Sequence, residues 1–185
     1  MPEYYLDIET TGLDPERDKI ITVQYQRLGM RTGRTGGPLE ILKEWESSER
    51  DVLDRFIPIF TGDNPFSFIA IGCNIPFVYS FLLKRGSLNG IECPDPVYVV
   101  GQKPHLDIKP FLVMMNRGSF RGASLDRFTN MSFKGSLIPK LYENGEYAVI
   151  VEFIREEARE FGYLYRHLKD RAPDLIPEGV PGALD

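Results

Sequence analysis

Two carboxylate side chains follow a short apolar segment near the beginning of the sequence. The segment from Tyr4 to Asp7 is typical of a strand that ends on an acidic residue, and Glu9 follows two positions later. On an extended strand, residues two positions apart project from the same face, so the Asp7 and Glu9 carboxylates are predicted to lie together. Adjacent carboxylates repel each other unless a cation joins them, and hard oxygen ligands suit Mg²⁺ or Mn²⁺. The pattern predicts a metal site at the end of the first strand, the alternative being two unrelated acids facing solvent.

The residues after this acid pair extend the pattern into a longer motif. The string from Leu6 to Leu13 resembles the first motif of the DEDD (DnaQ-like) 3′–5′ exonucleases, a family with a ribonuclease-H-like fold. The resemblance implies that Asp7 and Glu9 bind the catalytic metals. It also implies that the turn after them contacts the 3′-terminal nucleotide of a substrate, through Thr10, Thr11, Gly12 and Leu13.

A second segment has the glycine, asparagine and phenylalanine of that family's second motif but lacks the aspartate. The family pattern is glycine, any residue, asparagine, two residues, phenylalanine and aspartate, and this chain has Gly72, Asn74 and Phe77 in that frame. Val78 stands at the aspartate position, and a valine side chain has no lone pair to offer a metal. Asn74 remains a candidate for contact with the substrate backbone, the alternative being an asparagine that only caps the next helix.

The third motif of the family is expected on the last long helix, as Tyr or His followed by a metal-binding Asp. Phe153 stands at the first of these positions and Glu157 at the second. A glutamate can still bind a cation, whereas phenylalanine cannot orient a water molecule by a hydrogen bond. A different alignment would exchange Glu157 for Glu156 or Glu160, and a solvated helix face paired with arginines is the alternative for all three.

One further acid, Asp107, is a candidate for the missing second-motif ligand. It lies at the end of a predicted strand, near the place where the lost aspartate would be needed. The favoured interpretation is that Asp107 caps the helix that follows it.

Composition and charge restrict the function classes. The formal net charge of −5 argues more against a simple nucleic-acid-binding module than against a metal-dependent nuclease, which gathers carboxylates and offsets them with cations. A basic face could follow phosphates, although scattered surface charge is the usual explanation for Arg31, Arg34, Lys84, Arg85, Lys134 and Lys140. With two cysteines, no long apolar run and no charged-then-apolar leader, the expectation is a cytoplasmic protein without a membrane segment.

The order of predicted elements is three strands, helix, strand, helix, strand and helices. The strands are predicted near residues 4–7, 19–28, 39–45, 67–73 and 105–108, and the helices after Ser48 and over 76–84, 110–116 and 147–169. Residues 29–38 are predicted to form a flexible basic loop. This order predicts an α/β fold, a ribonuclease-H-like mixed sheet flanked by helices, over residues 1–171, followed by a Pro/Gly-containing tail over 172–185.

The resemblance implies a metal-dependent 3′–5′ exonuclease that acts on DNA or RNA ends. Two cations, Mg²⁺ or Mn²⁺, would be held by Asp7, Glu9 and Glu157. The subgroup it resembles most is the one that contains the exonuclease domains of family-B DNA polymerases. The alternative is a catalytically degenerate relative that binds nucleic acid or a protein partner through the same cleft, which the departures at Val78 and Phe153 favour.

Overall fold

A computed structural model describes residues 1–132 and 134–175 of the chain. The strands are β1 (Glu3–Thr10), β2 (Ile20–Leu28), β3 (Thr35–Lys43), β4 (Ile69–Gly72) and β5 (His105–Asp107). The helices are α1 (Glu49–Thr61), α2 (Ile75–Leu88), α3 (Pro96–Gly101), α4 (Lys109–Met115), α5 (Leu125–Phe128), α6 (Ile138–Glu143) and α7 (Tyr147–Arg171). Short 3₁₀ turns occupy Glu44–Glu46, Gly135–Leu137 and Ala172–Leu175.

The five strands form one mixed sheet with β1 at its centre. The strand order is β3-β2-β1-β4-β5; β1 and β2 are antiparallel, as are β2 and β3, whereas β4 runs parallel to both β1 and β5. The predicted fold class, a ribonuclease-H-like mixed sheet flanked by helices, is confirmed. Because the carboxyl ends of β1, β4 and β5 meet at one edge of the sheet, the turns that follow these three strands lie near one another.

Alternation along β1 sends its side chains to two different layers. Leu6 and Ile8 face an apolar core formed with α1 and α2, whereas Tyr5 faces a second core formed with α4 and α7. Asp7 and Glu9 share the face of Tyr5, so they lie beneath the layer that contains α7. This face of the sheet carries the candidate site.

The longest helix packs against the sheet along one continuous stripe. Its buried positions recur every three or four residues, as expected for an amphipathic helix, and comprise Ile150, Phe153, Ile154, Ala158, Phe161, Leu164 and Tyr165. Phe161 packs on Tyr5 of the sheet with ring centroids 4.7 Å apart. The stripe therefore fixes which face of α7 looks at the carboxylates of β1.

The expectation of a flexible loop over residues 29–38 is wrong for residues 35–38, whereas the favoured explanation of the basic residues as scattered surface charge agrees with the ion pairs of Lys84 and Arg85. Thr35 to Pro38 belong to β3, and the chain reverses in a tight turn in which the Gly29 N–H donates to the Arg34 carbonyl over 2.7 Å. The proposed basic face is also divided, because Lys84 pairs with Glu16 and Arg85 is half-buried against Glu49. The sequence around Lys84 and Arg85 does not reveal these two ion pairs, because their partners Glu16 and Glu49 lie far away in the chain.

The predicted C-terminal tail lies largely outside the described residues, which include only its first four positions, Ala172 to Leu175. The boundary between domain and tail stays a prediction. None of the helices in the described ranges combines the length and apolarity needed to cross a membrane.

Candidate active site

The carboxylates of Asp7 and Glu9 lie side by side at the carboxyl end of β1. Asp7 Oδ1 accepts a hydrogen bond from the Ile8 N–H over 2.9 Å, and Oδ2 lies 3.4 Å from the Tyr5 hydroxyl that donates to it. Glu9 is buried, with 9% of its surface exposed. The strand alternation predicted from the sequence thus places both acids beneath α7.

The third carboxylate comes from α7. Glu157 lies one turn after Phe153 and one turn before Phe161, both of which are buried, so its side chain points from the helix toward β1. Its Oε2 atom is buried and has no hydrogen-bond partner within residues 1–132 and 134–175. An orphaned carboxylate oxygen at such a position is costly unless a proton or a cation satisfies it.

The three acids perturb one another strongly. Burial raises the pKa of Asp7 to about 7, against the opposing effect of the hydrogen bonds from Ile8 and Tyr5. Burial, and then repulsion by Asp7, raises the pKa of Glu9 and that of Glu157 well above the usual glutamate range. Such raised pKa values in a cleft mark a candidate functional site, because burial and repulsion disfavour the charged forms of all the acids gathered there.

The donor set suits a hard divalent cation. Three carboxylates with one orphaned buried oxygen provide the negative charge and the oxygen ligands that Mg²⁺ or Mn²⁺ prefers. Among the described residues, no three His, Cys, Asp or Glu side chains are already spaced as a finished metal site. The fit therefore rests on the chemistry and charge of the three carboxylates.

The acids open into a cleft of about 490 Å³ whose walls combine apolar and cationic groups. Leu13, Asn74 and Phe77 line one side, and Lys109 and Lys134 lie on the walls. Leu13 is 82% exposed although it is a large apolar side chain. An exposed leucine, an aromatic ring and two lysines around three carboxylates can accommodate a ligand that carries both a flat apolar part and negative charge.

The turn between β1 and β2 is shaped by its own hydrogen bonds. The Thr11 hydroxyl accepts from the Lys19 N–H over 3.0 Å, and the Thr10 hydroxyl donates to the Gly12 carbonyl. A Cβ at Gly12 would meet the Asp18 carboxylate, so a larger residue there would force that side chain to move. Of the four predicted substrate contacts in this turn, only Leu13 lines the cleft, and the others hold the turn that presents it.

Asn74 and Asp107 join the turns that follow β4 and β5. Asp107 Oδ1 accepts hydrogen bonds from the backbone N–H groups of Asn74 and Lys109, each over 2.8 Å. Asp107 is absent from the cleft walls, so the structure supports the helix-start role and does not bring Asp107 to the carboxylates. Asn74 lines the cleft with a left-handed backbone (φ 65°) and no side-chain capping bond, which leaves its amide free to meet a ligand.

The second-motif position does not face the site. Val78 is 1% exposed and packs within the apolar core beneath the sheet, on the side of α1 and α2. Val78 therefore supplies nothing to the cleft, and its alignment with the aspartate of the second motif stays a prediction. Phe77, the preceding residue, is the one that lines the cleft.

On the third motif, the structure separates the three candidate glutamates. Glu157 alone reaches the cleft, whereas Glu156 accepts from Ser132 and Glu160 accepts from the Asn130 N–H. Phe153 is buried and lines the cleft one turn before Glu157, with its Cζ atom near Gly135. The register with Phe153 and Glu157 therefore holds, because the buried stripe of α7 permits only one face to turn inward.

Three polar residues near the site were missed by the sequence reasoning. Asp126, on the short helix α5, lines the cleft, and its charge helps to raise the pKa of Glu157. Thr22 and Gln24 are fully buried on β2, where the Thr22 hydroxyl donates to Gln24 Oε1 over 2.9 Å. Gln24 also lowers the pKa of Glu9. The sequence carried a signal for Thr22 and Gln24, because they are polar residues at alternate positions of an otherwise apolar strand. No feature of the sequence around Asp126 indicated a role in the site.

Comparison with solved structures finds this fold in exonuclease I. Escherichia coli exonuclease I in complex with a dT13 oligonucleotide superposes with a TM-score of 0.64, at 14% identity over 94% of this chain. A product-bound exonuclease I gives 0.53 at 16% identity, and the ExoI/SSB-Ct complex gives 0.52 at 15% identity, each over 95% of this chain. The chain spans 42%, 48% and 46% of the length of these three proteins. No protein-family model and no curated protein sequence matches the chain.

Proposed function

We propose that the chain is a metal-dependent 3′–5′ exonuclease that hydrolyses phosphodiester bonds at DNA or RNA ends. The observation that carries the proposal is the convergence of Asp7, Glu9 and Glu157, with a buried unsatisfied oxygen, in an open cleft. Structural carboxylates are normally neutralised by the protein itself, whereas burial raises the pKa of all three of these acids and repulsion by Asp7 adds to the raised pKa of Glu9 and of Glu157. The fold shared with exonuclease I, one example of which carries a bound oligonucleotide, supports the same function.

Asp7, Glu9 and Glu157 would hold Mg²⁺ or Mn²⁺. When bound, these cations supply an activated water and stabilise charge on the leaving oxygen. The chain's own residues would orient the substrate: Leu13 offers an apolar surface for the terminal base, and the Asn74 amide can donate to the backbone. Lys109 and Lys134 would balance the phosphate charge at the walls. We also propose Asp126 as an additional acid of the site, because it lines the cleft and its charge acts on Glu157.

The alternative function is a degenerate exonuclease-like domain that binds nucleic acid or a protein without cleavage. Two observations favour it: Val78 lies in the apolar core, and Phe153 has no hydroxyl with which to orient a water. The assignment to the subgroup of family-B polymerase exonuclease domains stays a prediction under either function.

The decisive experiment follows the degradation of 3′- and 5′-labelled single-stranded DNA and RNA in Mg²⁺ or Mn²⁺. We expect a ladder that shortens from the 3′ end with the wild type and disappears with Asp7→Asn, a variant of nearly the same shape. Equal degradation by both proteins would indicate a contaminant and contradict the proposal. Intact substrate with a folded wild type, at every metal and polymer tested, would favour the degenerate binding domain.

A second experiment asks whether the missing hydroxyl limits the rate. Phe153→Tyr should raise the rate of 3′-end hydrolysis by about a hundredfold, the lower end of the range for a positioned catalytic group. Phe153→Leu is the matched control, since it changes the packing without adding a hydrogen bond. An unchanged rate in a stable Phe153→Tyr variant would remove position 153 from the mechanism.

A further inference from the structure

A second concave surface lies on the other flank of α7 from the carboxylates. It measures about 580 Å³ and is formed between the β2–β3 hairpin and the outer side of the helix. We call it the arginine groove, defined by Arg34, Arg155, Arg159 and Arg166. Ala158 lines this groove, whereas its neighbour Glu157 lines the carboxylate cleft. A ligand that crosses α7 can therefore touch both surfaces.

The positive charge of the groove is only partly neutralised. Arg155 pairs with Glu152 over 2.7 Å, and Arg159 lies 3.5 Å from Glu160. These arginines are exposed, and exposed ion pairs contribute little, so a phosphate can replace the carboxylate partner. In the part of the chain that the structure describes, Arg34 and Arg166 have no carboxylate within ion-pair distance.

An aromatic ring lies beside these charges. Tyr163 is 54% exposed in the groove, and the Arg166 guanidinium lies 5.1 Å from the centre of its ring. Exposed tyrosine rings and guanidinium planes are surfaces on which nucleic-acid bases stack, whatever the sequence. A flexible chain of carboxylates would use the charge of the groove but would leave the ring unused.

The groove is held in shape before any ligand arrives. Gly33 adopts φ +62° and is buried at the hairpin turn, where a Cβ atom would lie 3.4 Å from the Arg166 Cα and from the Tyr165 ring. The hairpin is thus seated on α7, and Arg34, the next residue, is kept close to Arg166. Binding to a surface that is already formed loses less conformational entropy than binding to a mobile loop.

We propose that the arginine groove binds the phosphodiester backbone of a single-stranded nucleic acid, with a base stacked on Tyr163, outside the carboxylate cleft. This rests on the proposed function in so far as the strand that occupies the groove is the one whose end enters the cleft. From Glu157 to Arg166 the helix advances by nine residues, or about 13 Å, a distance that a few nucleotides span. The groove would hold the strand while its 3′ end is positioned.

The test measures binding of a fluorescently labelled oligo-dT of about 15 nucleotides, near the upper end of single-strand site sizes, in EDTA. Without metal there is no cleavage and the three carboxylates repel phosphates, so the binding that the arginine variants lose in EDTA reports the groove. We expect the Arg34→Ala/Arg166→Ala variant to bind at least about tenfold more weakly, since each charge-assisted contact is lost. Its slope of log K against log salt should fall by about 1.4, or about 0.7 for each lost phosphate contact.

Matched variants separate the groove from general charge and from folding. Arg50→Ala removes the same charge from an exposed position at the start of α1 and should bind as the wild type does. Tyr163→Ala should weaken binding about fivefold because one stacked base is lost, whereas Tyr163→Phe should not. If the first double variant fails to fold by circular dichroism, Arg155→Ala/Arg159→Ala replaces it with the same expectations.

The outcomes that overturn the inference are distinct from those that overturn the proposed function. An unchanged salt slope in a folded arginine variant, or a polyglutamate peptide that competes better than oligo-dT, would remove nucleic acid from the groove. If the wild type never degrades DNA or RNA yet the arginine variants lose binding, hydrolysis fails and the groove stands. If the wild type degrades its substrate and the variants bind normally, the groove alone fails.

Discussion

Glu49, which is buried, and Glu157, whose Oε2 atom is buried, lie on opposite faces of the sheet and show opposite chemistry. Glu49 accepts from Arg85 Nε over 2.8 Å, from Arg85 Nη2 over 2.7 Å, from the Ile20 N–H over 2.8 Å and from the Asn89 amide over 3.1 Å. Despite its burial, these donors lower the pKa of Glu49, with the Arg85 hydrogen bonds as the largest favourable cause.

Glu157 has the reverse surroundings. Its nearest charged groups are Asp7 and Glu9, one of its oxygens is unsatisfied within the described ranges, and burial followed by repulsion raises its pKa. The comparison teaches that burial alone does not identify a functional acid. What distinguishes Glu157 is that no Lys or Arg among the described residues pairs with it, which leaves that role to a cation or a proton.

The largest expected effect comes from removing the counter-charge of Glu49. Arg85→Ala leaves the buried Glu49 carboxylate without its ion-pair partner and should lower the free energy of unfolding by about 3 kcal/mol. Urea denaturation in EDTA measures it, with Lys84→Ala as the control, since Lys84 pairs with Glu16 at the surface. A loss no greater than that of the control would mean that Glu49 is not held as the structure indicates.

Removing the charge of Glu157 is expected to stabilise the protein, which is the opposite of the effect expected for Arg85→Ala. In EDTA, Glu157→Gln removes charge from the repelling trio and should raise the free energy of unfolding by about 2 kcal/mol at neutral or higher pH. In Mn²⁺ the variant should lose most of the metal-induced rise in melting temperature that the wild type shows. Glu152→Gln is the control on the exposed side of the same helix. Destabilisation by Glu157→Gln in EDTA would contradict the unsatisfied-acid interpretation.

The pH dependence of stability in EDTA sharpens the comparison. The pKa of Asp7 is raised from 3.8 to about 7 by burial, so its contribution to stability is complete below the unfolded value and is lost as pH rises through about 7. The Glu49 contribution behaves oppositely, since a lowered pKa gives stability that is lost as pH falls below its unfolded range.

Through Asp7, stability in EDTA should therefore fall between about pH 4 and pH 7, by at most about 1.4 kcal/mol per pH unit for each proton released. Asp7→Asn should flatten this fall, and Mn²⁺ should reverse it, because metal and protons compete for the same oxygens. A fall of equal slope in wild type and Asp7→Asn would assign the titration to other groups.

The smallest effect is expected at Asp107, which joins two turns without reaching the cleft. Asp107→Asn keeps one acceptor oxygen for the Asn74 and Lys109 N–H groups and should cost about 1 kcal/mol of stability. The Mn²⁺-induced change in melting temperature should match that of the wild type. Loss of the metal response in a folded Asp107→Asn variant would return this residue to the candidate ligands.

Local patterns predicted the parts of the site that depend on periodicity. The two-residue spacing of Asp7 and Glu9 fixes a common face on any strand, and the stripe of α7 fixes the direction of Glu157 once the helix packs on the sheet. The five-stranded fold followed from the order of elements for the same reason. The residues predicted as contacts but used inside the turn, Thr10 to Gly12, show that a motif does not say which of its members faces a ligand.

The sequence by itself determined the acid pair, the inward face of the last helix and the fold class, because strand and helix periods are properties of the local chain. Only the tertiary structure decided that Val78 lies in the core, that Asp126 lines the cleft and that Arg34 and Arg166 line one groove. Each of these depends on which distant segments pack together. Packing is set by the shape and apolar area of whole elements, so single positions in the sequence do not reveal it.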